Sequence, residues 1–134
     1  MIKVWVDGAA RPNPGKGGVG IVIRGDNWDY TISQKCDNRE SSNSAEYKAL
    51  CQALTELMRN QTTDVETIIY SDSQLLIEQM NNGCQVDKAS KYAQAYLKAQ
   101  QLARYFSNLK FEWISRKEND EANLLASQAL KKEF

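Results

Sequence analysis

The sequence predicts an α/β fold: a five-stranded mixed sheet, three antiparallel strands plus two crossover strands, flanked by helices. Three observations predict it. Apolar residues alternate at period two through the first third of the chain, the period turns helical from about Asn43, and helix-like and strand-like stretches then take turns to the end.

Ile2, Val4 and Val6 mark the first strand, Val19, Ile21 and Ile23 the second, and Trp28, Tyr30 and Ile32 the third. Gly25-Asp26-Asn27 is a short hairpin signal between the last two, whereas Gly8 to Lys16, a loop with both prolines, separates the first two. Ala49, Leu50, Ala53, Leu54, Leu57 and Met58 form the apolar stripe of a first helix. A strand over Thr67 to Tyr70 follows, then a short helix with Leu75, Leu76 and Met80 that Gly83 ends. Ala89, Tyr92, Ala93, Tyr96, Ala99, Ala103 and Phe106 recur at three- and four-residue spacing and predict a longer helix. Leu109, Phe111 and Trp113 alternate with Lys110 and Glu112 as a last strand, and Ala122, Leu125, Ala126 and Ala129 mark a final helix. With no linker, repeat or low-complexity segment in the sequence, residues 1–134 are expected to form one domain.

Composition narrows the chemistry. Apolar residues make up 42% and charged residues 25%, ordinary for a soluble globular protein. No apolar run approaches the ~20 residues of a membrane span, and the opening Met1 to Gly8 enters a strand pattern at once, so a cytoplasmic protein is expected, with no membrane partner. Cys36, Cys51 and Cys84 are odd in number and widely spaced, which fits buried thiols better than disulfides or a zinc site. The absence of histidine excludes Ser-His-Asp, Cys-His and His-ligated metal chemistry. Lys plus Arg and Asp plus Glu both number 17, so the net charge is zero. A nucleic-acid partner would therefore have to be held by a local patch and by shape, not by bulk charge.

Three carboxylates stand where folding alone does not require them. Asp7 ends the predicted first strand and Asp72 the fourth; if those strands are neighbours, both acids emerge at one sheet edge. Glu46 lies four, seven and eleven residues before Leu50, Ala53 and Leu57, on the core-facing side of its helix. A charge so placed needs a partner or a metal. Three acids without histidine suggest oxygen-only coordination of a hard ion such as Mg²⁺. Each acid also has a structural reading: Asn43 and Glu46 make a capping box, Asp72 caps the following helix, and Asp7 serves the turn at Gly8.

Local motifs then add a resemblance. Asp7-Gly8-Ala9-Ala10-Arg11-Pro12-Asn13-Pro14-Gly15, followed by Gly17-Gly18-Val19-Gly20, resembles the opening strand and loop of type 1 ribonucleases H. Asn43-Ser44-Ala45-Glu46-Tyr47-Lys48-Ala49-Leu50 is similar to that family's first helix, and Tyr70-Ser71-Asp72-Ser73-Gln74 to its central strand-to-helix junction. Arg116-Lys117-Glu118-Asn119, then Ala122-Asn123-Leu124-Leu125-Ala126, resembles its last segment. Four motifs in family order cover nearly the whole chain.

The resemblance implies a ribonuclease H-like fold in a short form without the basic protrusion of some bacterial members. It implies an endonuclease that cuts the RNA strand of RNA–DNA hybrids and leaves 5′-phosphate and 3′-hydroxyl products. Residues matching Asp7, Glu46, Asp72 and Asn123 would be the catalytic metal ligands, holding two Mg²⁺ ions about 4 Å apart, with Mn²⁺ as a substitute. Residues matching Asn13, Asn43 and Gln74 would read the minor groove and its 2′-hydroxyls, while Ser41 and Arg39 fall where the family grips a DNA phosphate. The enzyme is expected to act as a monomer.

The chain departs from the family pattern at two places. A fourth Asp is usual where Asn123 stands; an amide oxygen ligates without charge, so the second metal should bind more weakly and activity could be low. A mobile histidine is frequent where this chain has Ser115-Arg116-Lys117. In place of the protrusion, Asn81 to Lys88 is a short connection, and Lys88, Lys91 and Lys98 line one face of the next helix. The alternatives are a weakened domain of the same fold that binds hybrids or a partner without efficient cleavage, and another member of the wider superfamily.

Overall fold

The computed structural model describes residues 1–25, 27–83, 90 and 92–131. The strands are β1 (Ile2–Arg11), β2 (Gly15–Gly25), β3 (Trp28–Glu40), β4 (Thr67–Ser71) and β5 (Leu109–Trp113). The helices are α1 (Ser42–Arg59), α2 (Gln74–Asn82), α3 (Ala93–Ala103) and α4 (Asp120–Ala129), with a 3-10 turn at Lys117–Asn119 before α4. The sheet runs β3-β2-β1-β4-β5. β1 pairs antiparallel with β2 and parallel with β4, and β4 pairs parallel with β5, as the mixed-sheet expectation required.

The alternation seen in the sequence sorts the two faces. Val4 and Val6, with Val19, Ile21 and Ile23, turn to one side and join Tyr47, Leu50, Leu54 and Leu57 of α1 in the core. On the other side of β2 lie Gly18, Gly20 and Val22, under α4. A Cβ on Gly20 would sit 2.0 Å from the Ala122 carbonyl, so glycine there lets α4 lie directly on the sheet. The Arg24 guanidinium holds both carboxylate oxygens of Glu121 at 2.9 Å and ties the first turn of α4 to the end of β2. Cys36 and Cys51 are free thiols, and burial pushes both up to about 11, so they stay protonated. Among the described residues, no helix is long and apolar enough to cross a membrane.

Several boundaries differ from the sequence expectation. β1 runs on to Arg11, so Asp7 lies inside a strand instead of ending it, and the loop to β2 shrinks to Pro12, Asn13 and Pro14. β3 continues eight residues past Ile32, pairing with β2 through a bulge near Lys16 and Gly18; its polar second half is an edge strand without alternation. Ser41, not Asn43, caps α1: its hydroxyl accepts from the Ser44 N–H while the Ser44 hydroxyl accepts from the Ser41 N–H. Ser73, not Asp72, caps α2, whose end at left-handed Gly83 is as expected. Phe106 lies past the end of α3. Asp26, Cys84, Lys88, Ala89 and Lys91 lie outside the described residues.

Candidate active site

Asp7 projects from the middle of β1 and is 4% exposed. The parallel register pairs Trp5 with Tyr70, which brings Asp7 level with Asp72 just past the end of β4. Gly8 completes the junction: a Cβ there would meet the Ala45 carbonyl carbon at 2.2 Å and the Glu46 nitrogen at 2.3 Å. The missing side chain lets the first turns of α1 press against β1 and delivers Glu46 to Asp7. One oxygen each of Asp7, Glu46 and Asp72 then lie within 4.8 Å of one another.

Neighbouring groups hold the acids in place. Asn123 on α4 donates from Nδ2 to Asp7 Oδ2 at 2.8 Å. Asn119, 1% exposed, donates from Nδ2 to the Val6 carbonyl at 3.0 Å, while its Oδ1 is buried without a hydrogen-bond partner. The Ser73 side chain bonds to the Glu46 carboxylate, and the Trp113 indole donates to the Asp72 carbonyl at 3.1 Å. Arg116 lines the same cleft of about 210 Å³ as Asp7, Glu46, Asp72 and Asn123.

This crowding raises all three acids. Burial first, then the nearby Asp72 charge, pushes Asp7 up from 3.8 to about 6, against the Asn123 and Gly8 hydrogen bonds and Arg116. Burial and the charge of Asp7 push Glu46 up from 4.5 to about 8. Asp72 is raised by burial and partly relieved by Arg116. Three hard oxygen donors that repel one another and converge on one point suit a divalent cation. The donor set therefore fits the expected Mg²⁺ chemistry.

The other expected residues flank this centre on two sides. Asn13 sits in the tight turn after β1, and its Oδ1 accepts from the Ser42 N–H at 3.0 Å. That bond joins the turn to the start of α1, where Ser41 and half-buried Asn43 sit. Arg39, at the end of β3, donates to the Pro14 carbonyl at 3.1 Å and completes the group. Exposed Gln74 stands apart, two residues beyond Asp72 in the first turn of α2. Lys98 is exposed on α3. Ser73, Trp113 and Arg116 are not among the site residues expected from sequence, although Ser73 and Arg116 lie in the matching motifs and Arg116 stands where a histidine is frequent.

A family model described as "Reverse transcriptase-like" matches residues 5–129. The EbsB protein of Enterococcus faecalis is 31% identical over 98% of this chain and 96% of its own length. The bifunctional protein Rv2228c of Mycobacterium tuberculosis is 31% identical over 96% of this chain, which spans only 35% of that protein. Its solved N-terminal RNase H domain is 30% identical, with a TM-score of 0.83 and coverage of 96% of this chain and 98% of that one. LC11-RNase H1, solved in complex with an RNA/DNA hybrid, is 29% identical with a TM-score of 0.86, covering 98% of this chain and 97% of that one. With the family model spanning residues 5–129 and these relatives matching nearly the whole chain, the chain belongs to the reverse-transcriptase-like family and, within it, to the type 1 ribonucleases H.

Proposed function

We propose that this chain is an endonuclease that hydrolyses the RNA strand of RNA–DNA hybrids with two Mg²⁺ ions, for which Mn²⁺ can substitute, leaving 5′-phosphate and 3′-hydroxyl ends. The observation that carries the reading is the convergence of Asp7, Glu46 and Asp72 within 4.8 Å beside the turn that Asn13 fastens to α1. Asp7, Glu46 and Asp72 would hold the ions, with the Asn123 amide oxygen as a fourth, uncharged donor. The chemistry such ions supply is a more acidic attacking water and neutralised charge at the scissile phosphate and leaving oxygen. The protein's own part is to align its carboxylates and to oppose their protonation: Ser73 bonds to Glu46 and Asn123 to Asp7. Asn13, Asn43 and Gln74 would orient the substrate by hydrogen bonds along the minor groove, where the 2′-hydroxyl separates RNA from DNA. Ser41 and Arg39 would grip a DNA phosphate. In this reading residues 1–134 act as one domain and as a monomer in the cytoplasm.

One observation favours a second reading, a hybrid-binding domain that cuts poorly. Asn123 faces Asp7 with its N–H₂ group, so its oxygen becomes a ligand only after the amide turns over. The test is cleavage of a strand-labelled RNA–DNA hybrid with Mg²⁺ or Mn²⁺, with double-stranded RNA and DNA as controls. Cleavage confined to the RNA strand supports the nuclease reading. Binding without cleavage supports the second, and indifference to the hybrid removes both.

A further inference from the structure

The chain has no net charge, so its cations matter by position. Three of them form a row. In the sheet register Arg11 of β1 stands directly opposite Lys16 of β2, and Lys16 directly opposite Arg39 of β3. Cross-strand partners share a face, and here it is the face of Asp7. Arg11 follows Asp7 by four residues on one strand, and Lys16 alternates with Gly18 and Gly20 beneath α4. The Arg11 guanidinium reaches Ser127 of α4 at 3.2 Å, which fixes its side.

Like charges directly opposite one another destabilise a sheet. Three cations elsewhere are matched, Arg24 by Glu121 and Asp29, Lys48 by Glu40, and Arg59 by Glu56. Arg11, Lys16 and Arg39 are exposed and, among the described residues, none is paired with a carboxylate. Arg11 and Arg39 bond instead to a hydroxyl and a carbonyl, which orient a guanidinium without neutralising it. Glu40 is opposite Gly15, one residue further along β3, and so faces the α1 side, where it binds Ser44 and Lys48. The row joins the acidic site directly, because the cleft that holds the acids extends along β1 to Arg11.

We propose that Arg11, Lys16 and Arg39 form a cationic ladder that binds the phosphate backbone of the nucleic acid on one side of the cut site. The proposal rests on the nuclease reading for its substrate, and adds Arg11 and Lys16 to the single grip at Arg39. Four steps along β1 take Asp7 to Arg11, ~13 Å at ~3.3 Å per residue. At ~3.4 Å of rise per nucleotide, the ladder meets phosphates roughly four steps from the cleaved one. Backbone contact of this kind carries no sequence information, so affinity should depend on salt and not on sequence.

The experiment measures binding of a fluorescent RNA–DNA hybrid in chelator, which blocks cleavage, over a range of salt concentrations. It compares the native chain with Arg11→Gln, Lys16→Gln and the double variant. Each lost contact should weaken binding several-fold and flatten the slope of log affinity against log salt by ~0.9. Arg59→Gln removes one charge from the C-terminal end of α1, away from the ladder, and should leave the slope unchanged. Thermal unfolding gives a second reading: relieving the like-charge row should leave the midpoint of Lys16→Gln unchanged or raised. Unchanged affinity and slope in the double variant, in a native chain that binds and cuts hybrid, would overturn the ladder and leave the nuclease reading intact. A flattened slope in a protein that cuts nothing supports the ladder and removes the nuclease reading. If Arg59→Gln flattens the slope equally, overall charge explains the binding and the ladder is overturned.

Discussion

Replacing Asp7 with Asn should abolish cleavage and, without metal, make the protein more stable. Asp7 is nearly inaccessible to water, and burial with the Asp72 charge holds it up at about 6 instead of 3.8. Between those values the folded chain binds more protons than the unfolded one, so stability falls as pH rises through the window and the loss is complete above about 6. At ~1.4 kcal/mol per pH unit, ionised Asp7 costs the metal-free fold about 3 kcal/mol near pH 8. Asparagine removes that cost but, being uncharged, accepts the Asn123 and Gly8 hydrogen bonds more weakly, a loss of about 1 kcal/mol. The net gain is about 2 kcal/mol at pH 8, or roughly 5–10 °C in a domain of this size, and it should vanish near pH 4. The assay is thermal unfolding in chelator at pH 4, 6 and 8 for both proteins. Glu46, raised to about 8 by burial and by Asp7, extends the native protein's decline to the upper end of that range. A native stability flat from pH 4 to 8, or an Asp7→Asn protein less stable at pH 8, would refute the reasoning and give Asp7 a structural role.

Excess chelator should stop hybrid cleavage, and Mn²⁺ should restore more activity than Mg²⁺ because its higher affinity tolerates a poorer ligand set; equal activity in chelator would defeat this. Asn123→Asp should lower the Mg²⁺ concentration needed for half-maximal rate, while Asn123→Ala should cut more slowly than the native chain. If cleavage is present and neither substitution changes its rate or metal dependence, Asn123 is not a ligand. Gly20→Ala should push α4 off the sheet, since the new Cβ meets the Ala122 carbonyl at 2.0 Å. The cost should be about 1–3 kcal/mol, with a weaker metal response as Asn123 moves from Asp7; an unchanged melting temperature would show that α4 shifts without loss.

The order of elements was legible because period two and period 3.6 are hard to confuse over stretches as long as α1 or β2. The misread stretches lack that contrast. Gly8, Ala9 and Ala10 have no side chains large enough to alternate, so β1 looked finished at Asp7. Ser33 to Glu40 is polar because it lies on the outermost strand, where only one edge is paired. The caps were misplaced for another reason. A hydroxyl precedes Asn43 by two residues and follows Asp72 by one, and which oxygen caps depends on where the preceding strand stops, which side-chain type alone does not specify. In the site, the nearness of Asp7 to Asp72 on neighbouring strands and the inward offset of Glu46 were readable from spacing, but the place of Asp7 inside β1 was not. The contacts of Ser73 and Trp113 were not, because they depend on backbone angles at the β4–α2 junction and the end of β5.

The aspect of the site least legible in the sequence is what the amide at 123 does when metal is absent. Burial raises Asp7, Glu46 and Asp72, and repulsion from neighbouring acids adds to it at Asp7 and Glu46. The Asn123 N–H and the Arg116 charge are the side-chain groups that offset this repulsion at Asp7. A carboxylate at 123 would replace a donor to Asp7 Oδ2 with a fourth acid facing the same oxygen. The structure therefore sets two properties against each other at one residue. An amide favours the metal-free fold by removing repulsion, and a carboxylate favours the loaded site by adding charge. In chelator at pH 8, Asn123→Asp should accordingly lose about 1–3 kcal/mol of stability, and saturating Mg²⁺ should return more of it than it adds to the native chain. Metal titration followed by thermal unfolding measures both. A variant stabilised in chelator would mean that residue 123 does not face Asp7 in solution, and the opposition between affinity and stability would fall with it.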